Sequence, residues 1–168
     1  VGELAVVVGA RPGGAGEARA RASGFEVFPL AEAARRAHVC AVLLPDEVTP
    51  GLWPELAPAL REDAGLVFAH GFVLLYADLA FPARADVVLV SPTGPGRVLR
   101  DLALRGEGLP AYLAVHRDLS GRAWDLAERY ATALGCHRAR LWRTTVREET
   151  EVDLFGEQAV LCGGMNAL

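Results

Sequence analysis

The sequence predicts an α/β fold in which helices flank a parallel sheet. Two features predict the sheet. Short apolar runs alternate with Ala-, Leu- and Arg-rich segments of helical period, which is the pattern of successive βα units. The runs are nearly continuous rather than alternating with polar residues, as is typical of strands that helices cover on both faces. A third feature lies at the end of the chain, where from Arg147 the pattern changes to one long helical segment.

The predicted strands are apolar segments of a few residues, bounded by Gly, Pro or charged side chains. Many of their residues are valines, whose branched side chains favour extended backbone. In chain order the predicted strands are Leu4 to Val8, Val39 to Leu44, Gly65 to Ala69, Val87 to Val90, Ala111 to Val115 and Leu141 to Thr145. No linker or internal repeat separates them.

The predicted helices lie between these strands and carry apolar residues at helical spacing. In chain order they are Gly16 to Ser23, Leu30 to Arg36, Leu52 to Leu60, Gly96 to Leu104 and Ser120 to Leu134. Ser120 is the predicted N-cap of the last of these helices, because a serine hydroxyl can accept a hydrogen bond from an amide of the first turn.

The composition limits the classes of protein to consider. The chain has 168 residues, of which 52% are hydrophobic and 23% charged, and its net charge is -4. This length supports one sizeable core. The arginines are scattered rather than grouped in a basic patch, which argues against a nucleic-acid partner. The apolar runs are shorter than the roughly 20 residues that span a bilayer, so no membrane partner is expected.

The cysteines indicate the compartment. Cys40, Cys136 and Cys162 have no short pair spacing and leave one residue unpaired, which favours a reducing compartment over a disulfide framework. No charged segment followed by a long apolar run comes after Val1, so no signal peptide is predicted. The sequence therefore predicts a cytoplasmic location.

Three acidic residues near the end of the chain share one predicted helix face. Glu149, Asp153 and Glu157 fall at i, i+4 and i+8. Like charges at this spacing repel one another, and a bound cation would reverse that cost. Oxygen ligands favour a hard cation such as Mg²⁺. The alternative is a solvated acidic face, which is the commoner role of a charge run on a helix.

The residues around these acids resemble a known sequence motif over a longer segment. The segment from Glu148 to Gln158, with Ala159 to Gly164 after it, closely resembles the metal-binding helix of ketol-acid reductoisomerases. Other segments resemble the same family in the same order, namely Val8 to Gly13, Leu43 to Val48, Phe68 to Phe72 and Ser91 to Gly96. The resemblance extends over the whole chain.

The resemblance implies an organisation in two domains. Residues 1–146 would form a Rossmann-like nucleotide-binding domain, and residues 147–168 would contain the first helix of an all-α metal- and substrate-binding domain. Gly14 and Gly16 lack the third glycine of a Gly-x-Gly-x-x-Gly turn, so that turn would precede Val1. The sheet would then lack its first βα unit and with it a central strand. The full-length protein would be a homo-oligomer.

The resemblance also implies an activity. Members of this family use Mg²⁺ to migrate an alkyl group in a 2-aceto-2-hydroxy acid, either 2-acetolactate or 2-aceto-2-hydroxybutyrate. They then reduce the product to a 2,3-dihydroxy acid with NADPH, in the biosynthesis of the branched-chain amino acids isoleucine and valine. NADPH is therefore the expected cofactor, with NADH as its alternative, and Mg²⁺ is the expected metal.

Site residues follow from the resemblance position by position. His70 matches the active-site histidine, with a structural role at a strand end as the alternative. Asp153 and Glu157 match two metal ligands. The positions that match cofactor contacts are Arg11, Gly14, Gly16, Leu44, Pro45, Asp46, Thr49 and Gly96.

The sequence departs from the family at several positions. Gly14 and Gly16 stand where the family has serines that hold the 2′-phosphate of NADPH, although Arg19 or Arg21 could compensate. Thr93 replaces a lysine beside the metal-bound acids. These departures leave a second hypothesis open, a diverged non-catalytic relative. A third, a dinucleotide-binding module of another dehydrogenase, explains the strands but not the acidic helix.

Overall fold

The structure is a computed structural model that describes residues 5–156. Strands and helices alternate along most of this length, as predicted. In chain order the elements are β1 (Val7–Gly9), α1 (Ala15–Ala22), β2 (Glu26–Phe28), α2 (Leu30–Arg36), β3 (Val39–Val42), α3 (Thr49–Leu56), β4 (Gly65–Phe68), α4 (Phe72–Tyr76), β5 (Asp86–Pro92), α5 (Gly96–Leu104), β6 (Ala111–Arg117), α6 (Ala123–Ala133), β7 (Leu141–Arg143) and α7 (Val146–Phe155). Short 3-10 turns follow α3 and α6.

The strands of the described residues form two sheets rather than one. Strands β1 and β2 pair in parallel, and the other five follow the order β3-β4-β5-β6-β7. The neighbours in the larger sheet are parallel except β5 and β6, which are antiparallel. The prediction of a parallel sheet is therefore wrong for this one pair. An apolar run indicates that a strand is buried, but it does not indicate whether the strand is parallel or antiparallel to its neighbour.

The core lies on both faces of the larger sheet. Along β5, Val87 and Leu89 belong to one buried cluster, whereas Val88 and Val90 belong to the other. All four side chains are buried, because helices cover the sheet on each face. This burial explains why the strand reads as a continuous apolar run.

Two elements were absent from the prediction. Strand β2 has only three residues, Glu26 to Phe28, too few for an apolar run to be recognised. Helix α4 has five residues, too few for a helical period to show. Helices α2 and α5 have the predicted bounds.

The predicted cap at Ser120 is wrong. Helix α6 begins at Ala123, and the Ser120 hydroxyl donates to Asp86 while accepting from the Arg122 amide. The Asp118 carboxylate accepts from the Ala123 amide instead. Ser120 therefore anchors the loop to the start of β5, a non-local contact that the local sequence does not encode.

The larger sheet brings several chain segments to one edge. Strands β4 and β5 end there, and β6 begins there because Ala111 pairs with Pro92. Helix α7 contacts both α4 and β6 at this edge. None of the helices within residues 5–156 is long and apolar enough to cross a bilayer.

Candidate active site at the sheet edge

An open cleft of about 1080 Å³ lies where strands β4 and β5 end. Its walls come from the loops after β3, β4 and β5, from the start of β6, and from one side of α7. The polar residues that line it include Asp46, His70, Ser91, Thr93, Glu149 and Asp153. Ligands of α/β sheets bind outside the carboxyl ends of the strands, so this is the expected place for a site.

Helix α7 is held against the loop after β4 by a close backbone approach. A Cβ atom on Gly71 would collide with the Thr150 hydroxyl and would lie 3.1 Å from Val146 Cγ1. Only glycine therefore allows the helix to come this near. At its start, the Thr145 side chain caps α7 by accepting from the Glu148 amide at 3.1 Å. This packing turns Glu149 and Asp153 into the cleft.

An imidazole lies between two carboxylates in the cleft. His70 Nδ1 is 3.2 Å from Asp153 Oδ2, and His70 Nε2 is 3.6 Å from Asp46 Oδ2. A neutral imidazole carries one N–H, so it can face both carboxylates as a donor only when it is protonated. Burial raises the pKa of Asp46, and the nearby His70 opposes that rise.

Glu149 is the most buried acid of the cleft, at 5% exposure. Burial raises the pKa of its carboxyl, the facing Ser91 hydroxyl lowers it, and the neighbouring charge of Asp153 raises it again. Ligand atoms of His70, Glu149 and Asp153 all lie within 4.8 Å of one another. Burial beside a second carboxylate disfavours the ionised form of Glu149, and either a proton or a bound cation would relieve that cost.

The donor set is compatible with Mg²⁺. Two carboxylates one helical turn apart offer the hard oxygen ligands that this ion prefers, and the open cleft leaves room for its waters and for substrate oxygens. In this arrangement Glu149 and Asp153 would hold the ion, with His70 beside them. The predicted ligand Glu157 lies outside the described residues.

The predicted cofactor residues after β3 fall into two groups. Leu44, Pro45 and Asp46 follow the strand, and Asp46 reaches the cleft. Thr49 is only 1% exposed, and its hydroxyl donates to Pro45 O at 2.9 Å. The Thr49 side chain is therefore buried and stabilises the loop that follows β3. Gly96 is the exposed first residue of α5.

The remaining predicted cofactor residues, Arg11, Gly14 and Gly16, lie together at a different place, the turn between β1 and α1. We refer to residues 10–17 as the β1–α1 turn. The Gly14 amide donates to Arg11 O at 3.1 Å, and Arg11 is exposed. The Gly13 amide donates to Glu17 Oε2 at 2.6 Å. None of the three predicted residues in this turn lines the cleft.

Glu149 and Ser91 are among the cleft residues that were not predicted as site residues. Glu149 shares the predicted acidic face, and its spacing of four residues from Asp153 was the available signal. Ser91 begins the family-like segment Ser91 to Gly96, but its contact with Glu149 depends on the sheet placing it opposite α7. Thr93 also lines the cleft, but its hydroxyl donates to Pro110 O at 3.2 Å.

Residues 2–140 match the sequence model described as the NADPH-binding domain of acetohydroxy acid isomeroreductase. Among solved structures, the chain is similar to an NADH-preferring ketol-acid reductoisomerase from an uncultured archean, with 36% identity and a TM-score of 0.87. The match covers 99% of this chain and 50% of the other, so the chain spans about half the length of that enzyme.

Other solved structures share the fold at low identity. One is a putative oxidoreductase from Jannaschia sp. CCS1, with 11% identity, a TM-score of 0.71 and coverage of 95% of this chain and 60% of that one. Another is a semialdehyde dehydrogenase NAD-binding protein from Cupriavidus necator, solved with calcium and NAD. It has 16% identity, a TM-score of 0.71 and coverage of 90% and 58%. These two matches support the fold alone.

Proposed function

The chain belongs to the acetohydroxy acid isomeroreductase (ketol-acid reductoisomerase) family, a family of oxidoreductases with an NAD(P)H-binding domain, and on that premise we propose that it is part of such an enzyme. The substrate is 2-acetolactate or 2-aceto-2-hydroxybutyrate, which is rearranged with Mg²⁺ and reduced by NADPH or NADH to a 2,3-dihydroxy acid. We therefore propose a role in the biosynthesis of isoleucine and valine.

The charge of the cleft is the observation that supports this proposal most. Within the described part of the chain, its lining contains the carboxylates of Asp46, Glu148, Glu149 and Asp153, one imidazole, and no lysine or arginine. The substrate is itself an anionic acid. A divalent cation between the two would remove the repulsion, and it would also relieve the burial cost of Glu149.

The roles of the chain's own residues follow from their positions. The carboxylates of Asp153 and Glu149 provide oxygen ligands on one helix face. A bound Mg²⁺ would act as a Lewis acid toward the substrate oxygens, and a bound nicotinamide would supply the hydride. Asp153 orients the His70 ring through Nδ1. This leaves His70 Nε2, close to Asp46, to hold a proton or pass one to a group in the cleft.

The experiment is an assay of the full-length protein for oxidation of NADPH or NADH that requires both Mg²⁺ and a 2-aceto-2-hydroxy acid. Asp153→Asn should lower kcat/KM on the order of 100-fold or more, the loss typical of removing one preorganised electrostatic group. Glu151→Gln is the matched control on the same helix, because Glu151 is exposed and pairs with Arg147 at 2.9 Å. Equal activity of both variants would contradict the proposed metal site.

A second candidate function is a non-catalytic relative that binds nucleotide or metal. The hydrogen bonds of Thr93 favour this candidate. The amide and the hydroxyl of Thr93 both donate to Pro110 O, at 2.9 and 3.2 Å, so the hydroxyl is directed to the backbone. The family lysine at this position has no substitute among the described lining residues. If the full-length protein shows no turnover but Thr93→Lys restores it, this candidate is supported.

The remaining parts of the proposal concern setting and assembly. We place the reaction in the cytoplasm, in keeping with the free thiols of Cys40 and Cys136. We further propose that the full-length protein is a homo-oligomer. The mass of the full-length protein in solution would test this second point.

A further inference from the structure

Three side chains form a row across the larger sheet, on the face that α7 contacts. Ser91 of β5 pairs with Tyr112 of β6, and Tyr112 pairs with Trp142 of β7. Residues paired in this way project to the same face, with Cβ atoms about 5 Å apart in an antiparallel pair. This is the face of Glu149, because the Ser91 hydroxyl forms a hydrogen bond with that carboxylate. The Tyr112 side chain therefore lies one strand away from a residue that contacts a proposed metal ligand.

The Tyr112 ring is held in place by its neighbour on β7. It stacks on Trp142, with 5.1 Å between the ring centroids and 26° between the ring planes. The Arg140 guanidinium lies 5.4 Å from the Trp142 ring centroid, a cation–π contact that supports the stack. Stacking stabilises an aromatic pair beyond the area that it buries. The Tyr112 ring is therefore a fixed part of the cleft wall.

Tyr112 also provides the largest apolar side chain of the cleft. It is the only aromatic residue among the described lining residues, and 36% of its surface is exposed. The other apolar lining residues are smaller, namely Ala69, Pro92, Pro95 and Val152. The cleft therefore offers carboxylates on one helix face and an aromatic surface beside them. A small acid with an alkyl group on its reacting carbon can contact both.

We propose that Tyr112 is a specificity-determining residue, whose ring packs against the alkyl group on C2 of the 2-aceto-2-hydroxy acid. This inference rests on the proposed function, because it concerns the substrate of the same site. C2 of such an acid carries the carboxylate, the hydroxyl and the acetyl group together with a short alkyl group. When the oxygen atoms face Glu149 and Asp153 through the metal ion, the alkyl group lies next to them, where the ring is.

This contact sets a preference between the two candidate substrates. The group on C2 is a methyl in 2-acetolactate and an ethyl in 2-aceto-2-hydroxybutyrate, so the two acids differ by one methylene. Burial of one methylene against an apolar surface increases affinity about fourfold. The site therefore favours the acid that carries the ethyl group.

The experiment measures binding of two unreactive analogues, which lack the acetyl group and cannot rearrange. They are 2-hydroxy-2-methylpropanoate and 2-hydroxy-2-methylbutanoate, which differ by the same methylene. Each is titrated by calorimetry into the full-length protein with Mg²⁺ and NADPH. The wild type should bind the longer acid about fourfold more tightly.

The variants separate the ring from its hydroxyl. Tyr112→Phe keeps the ring and should keep the ratio of the two Kd values, whereas Tyr112→Ala removes the ring and should bring that ratio close to one. Tyr76→Ala is the matched control, because Tyr76 is 55% exposed and lies 5.0 Å from the Phe72 ring but does not line the cleft. It should leave the ratio unchanged.

Each outcome bears on the inference. Mg²⁺-dependent binding of both acids without a preference in the wild type would overturn it and leave the proposed function standing, whether or not Tyr112→Ala folds. A preference that survives in a cooperatively melting Tyr112→Ala, or that is lost in Tyr112→Phe or Tyr76→Ala, would also overturn it. Failure of the folded wild type to bind either acid with Mg²⁺ would contradict the proposed function as well.

Discussion

The buried carboxylate of Glu149 is costly unless something compensates its charge. Its ordinary pKa is raised first by burial, with Asp153 adding to the rise and Ser91 opposing it. A carboxyl whose pKa is higher in the folded state contributes most stability below the pKa of the unfolded chain, and that contribution is lost as pH rises through the folded value. At neutral pH, where the carboxyl of the unfolded chain is ionised, the raised folded pKa therefore makes Glu149 a destabilising residue.

The prediction is that Glu149→Gln raises the stability of the domain at pH 7 without Mg²⁺. The expected gain is about 1–2 kcal/mol, or a few degrees in Tm, because a neutral amide costs less to bury than an ionised acid. The gain should shrink as pH falls from the raised folded pKa toward the ordinary value of 4.5, and it should vanish below that value, where Glu149 is protonated in both states. Thermal melts across pH test this.

The controls for that prediction are the metal and an exposed acid. Added Mg²⁺ should stabilise the wild type and leave Glu149→Gln unaffected, since a ligand that binds only the folded state raises its stability. Glu151→Gln, on the exposed side of α7, should respond to Mg²⁺ like the wild type. A loss of stability in Glu149→Gln at pH 7 would show that the ionised carboxylate is already compensated within the chain.

At the scale of elements, the position of α7 depends on one glycine. Gly71 has a φ of -92°, which any residue can adopt, so glycine is required there for steric reasons. A side chain at this position would occupy the space of the Thr150 hydroxyl. Thr150 is itself buried and donates to Val146 O at 2.7 Å. The loop after β4, which carries His70, and the helix that carries Asp153 are thereby kept in contact.

We predict that Gly71→Ala destabilises the domain by about 1–3 kcal/mol, as overpacking does in a close-packed core. The variant should also lose the response of Tm to Mg²⁺, because α7 must move away from the His70 loop. Gly51→Ala is the matched control, since Gly51 lies within α3 with nothing near its Cβ position and alanine favours a helix. Equal stability of the two variants would contradict the account of the contact.

A second link between elements lies at the opposite end of β5. The Asp86 carboxylate accepts from the Leu119 and Ser120 amides at 2.8 and 3.0 Å and from the Ser120 hydroxyl. Burial by itself raises the pKa of Asp86, but these hydrogen bonds together with Arg117 lower it overall. A carboxyl with a depressed folded pKa contributes stability above its unfolded pKa and loses it as pH falls through the folded value.

The corresponding prediction is that Asp86→Asn destabilises the domain at pH 7 by about 1–3 kcal/mol, because the amide group replaces one of the oxygens that accept from Leu119 and Ser120 and removes the charge from the other. The difference from the wild type should diminish as pH is lowered below about 4, where the wild-type carboxyl itself becomes protonated. Urea unfolding at several pH values measures it. Asp101→Asn on the exposed side of α5 serves as the control and should have no such effect.

At the scale of the whole molecule, the division into two sheets leaves strand edges without neighbours among the described residues. Within residues 5–156, strand β3 ends the larger sheet and β1 pairs only with β2. Val39 and Leu43, in and just after β3, are 47% and 68% exposed although their run is apolar. An apolar unpaired edge is a template for pairing with another chain.

We therefore predict that residues 1–168, made alone, associate in a concentration-dependent way and dissolve poorly. Val39→Lys should reduce the association, because a lysine on an edge strand opposes pairing. Val98→Lys, at a comparably exposed position on α5, should not. Light scattering during size-exclusion chromatography gives the masses. A monodisperse wild-type monomer with a cooperative thermal transition would contradict the prediction.

The sequence by itself determined the family, the alternation of strands and helices, and the burial of apolar strands on both faces. This information is local, because the period of apolar residues and short sequence motifs can be recognised without any knowledge of distant contacts. Helices α2 and α5 were predicted with their observed bounds for that reason. The acidic face of α7 was visible in the same way, from the spacing of Glu149 and Asp153.

Only the tertiary structure decided which residues meet. The antiparallel direction of β6, the position of His70 between Asp46 and Asp153, and the burial of Thr49 all depend on contacts between segments far apart in the chain. Even the local hydrogen bond between the Gly13 amide and Glu17 depends on the left-handed backbone conformation of Gly13, which the apolar periodicity of the sequence does not predict. Burial patterns specify which face of an element is covered, whereas packing specifies what covers it and at what distance.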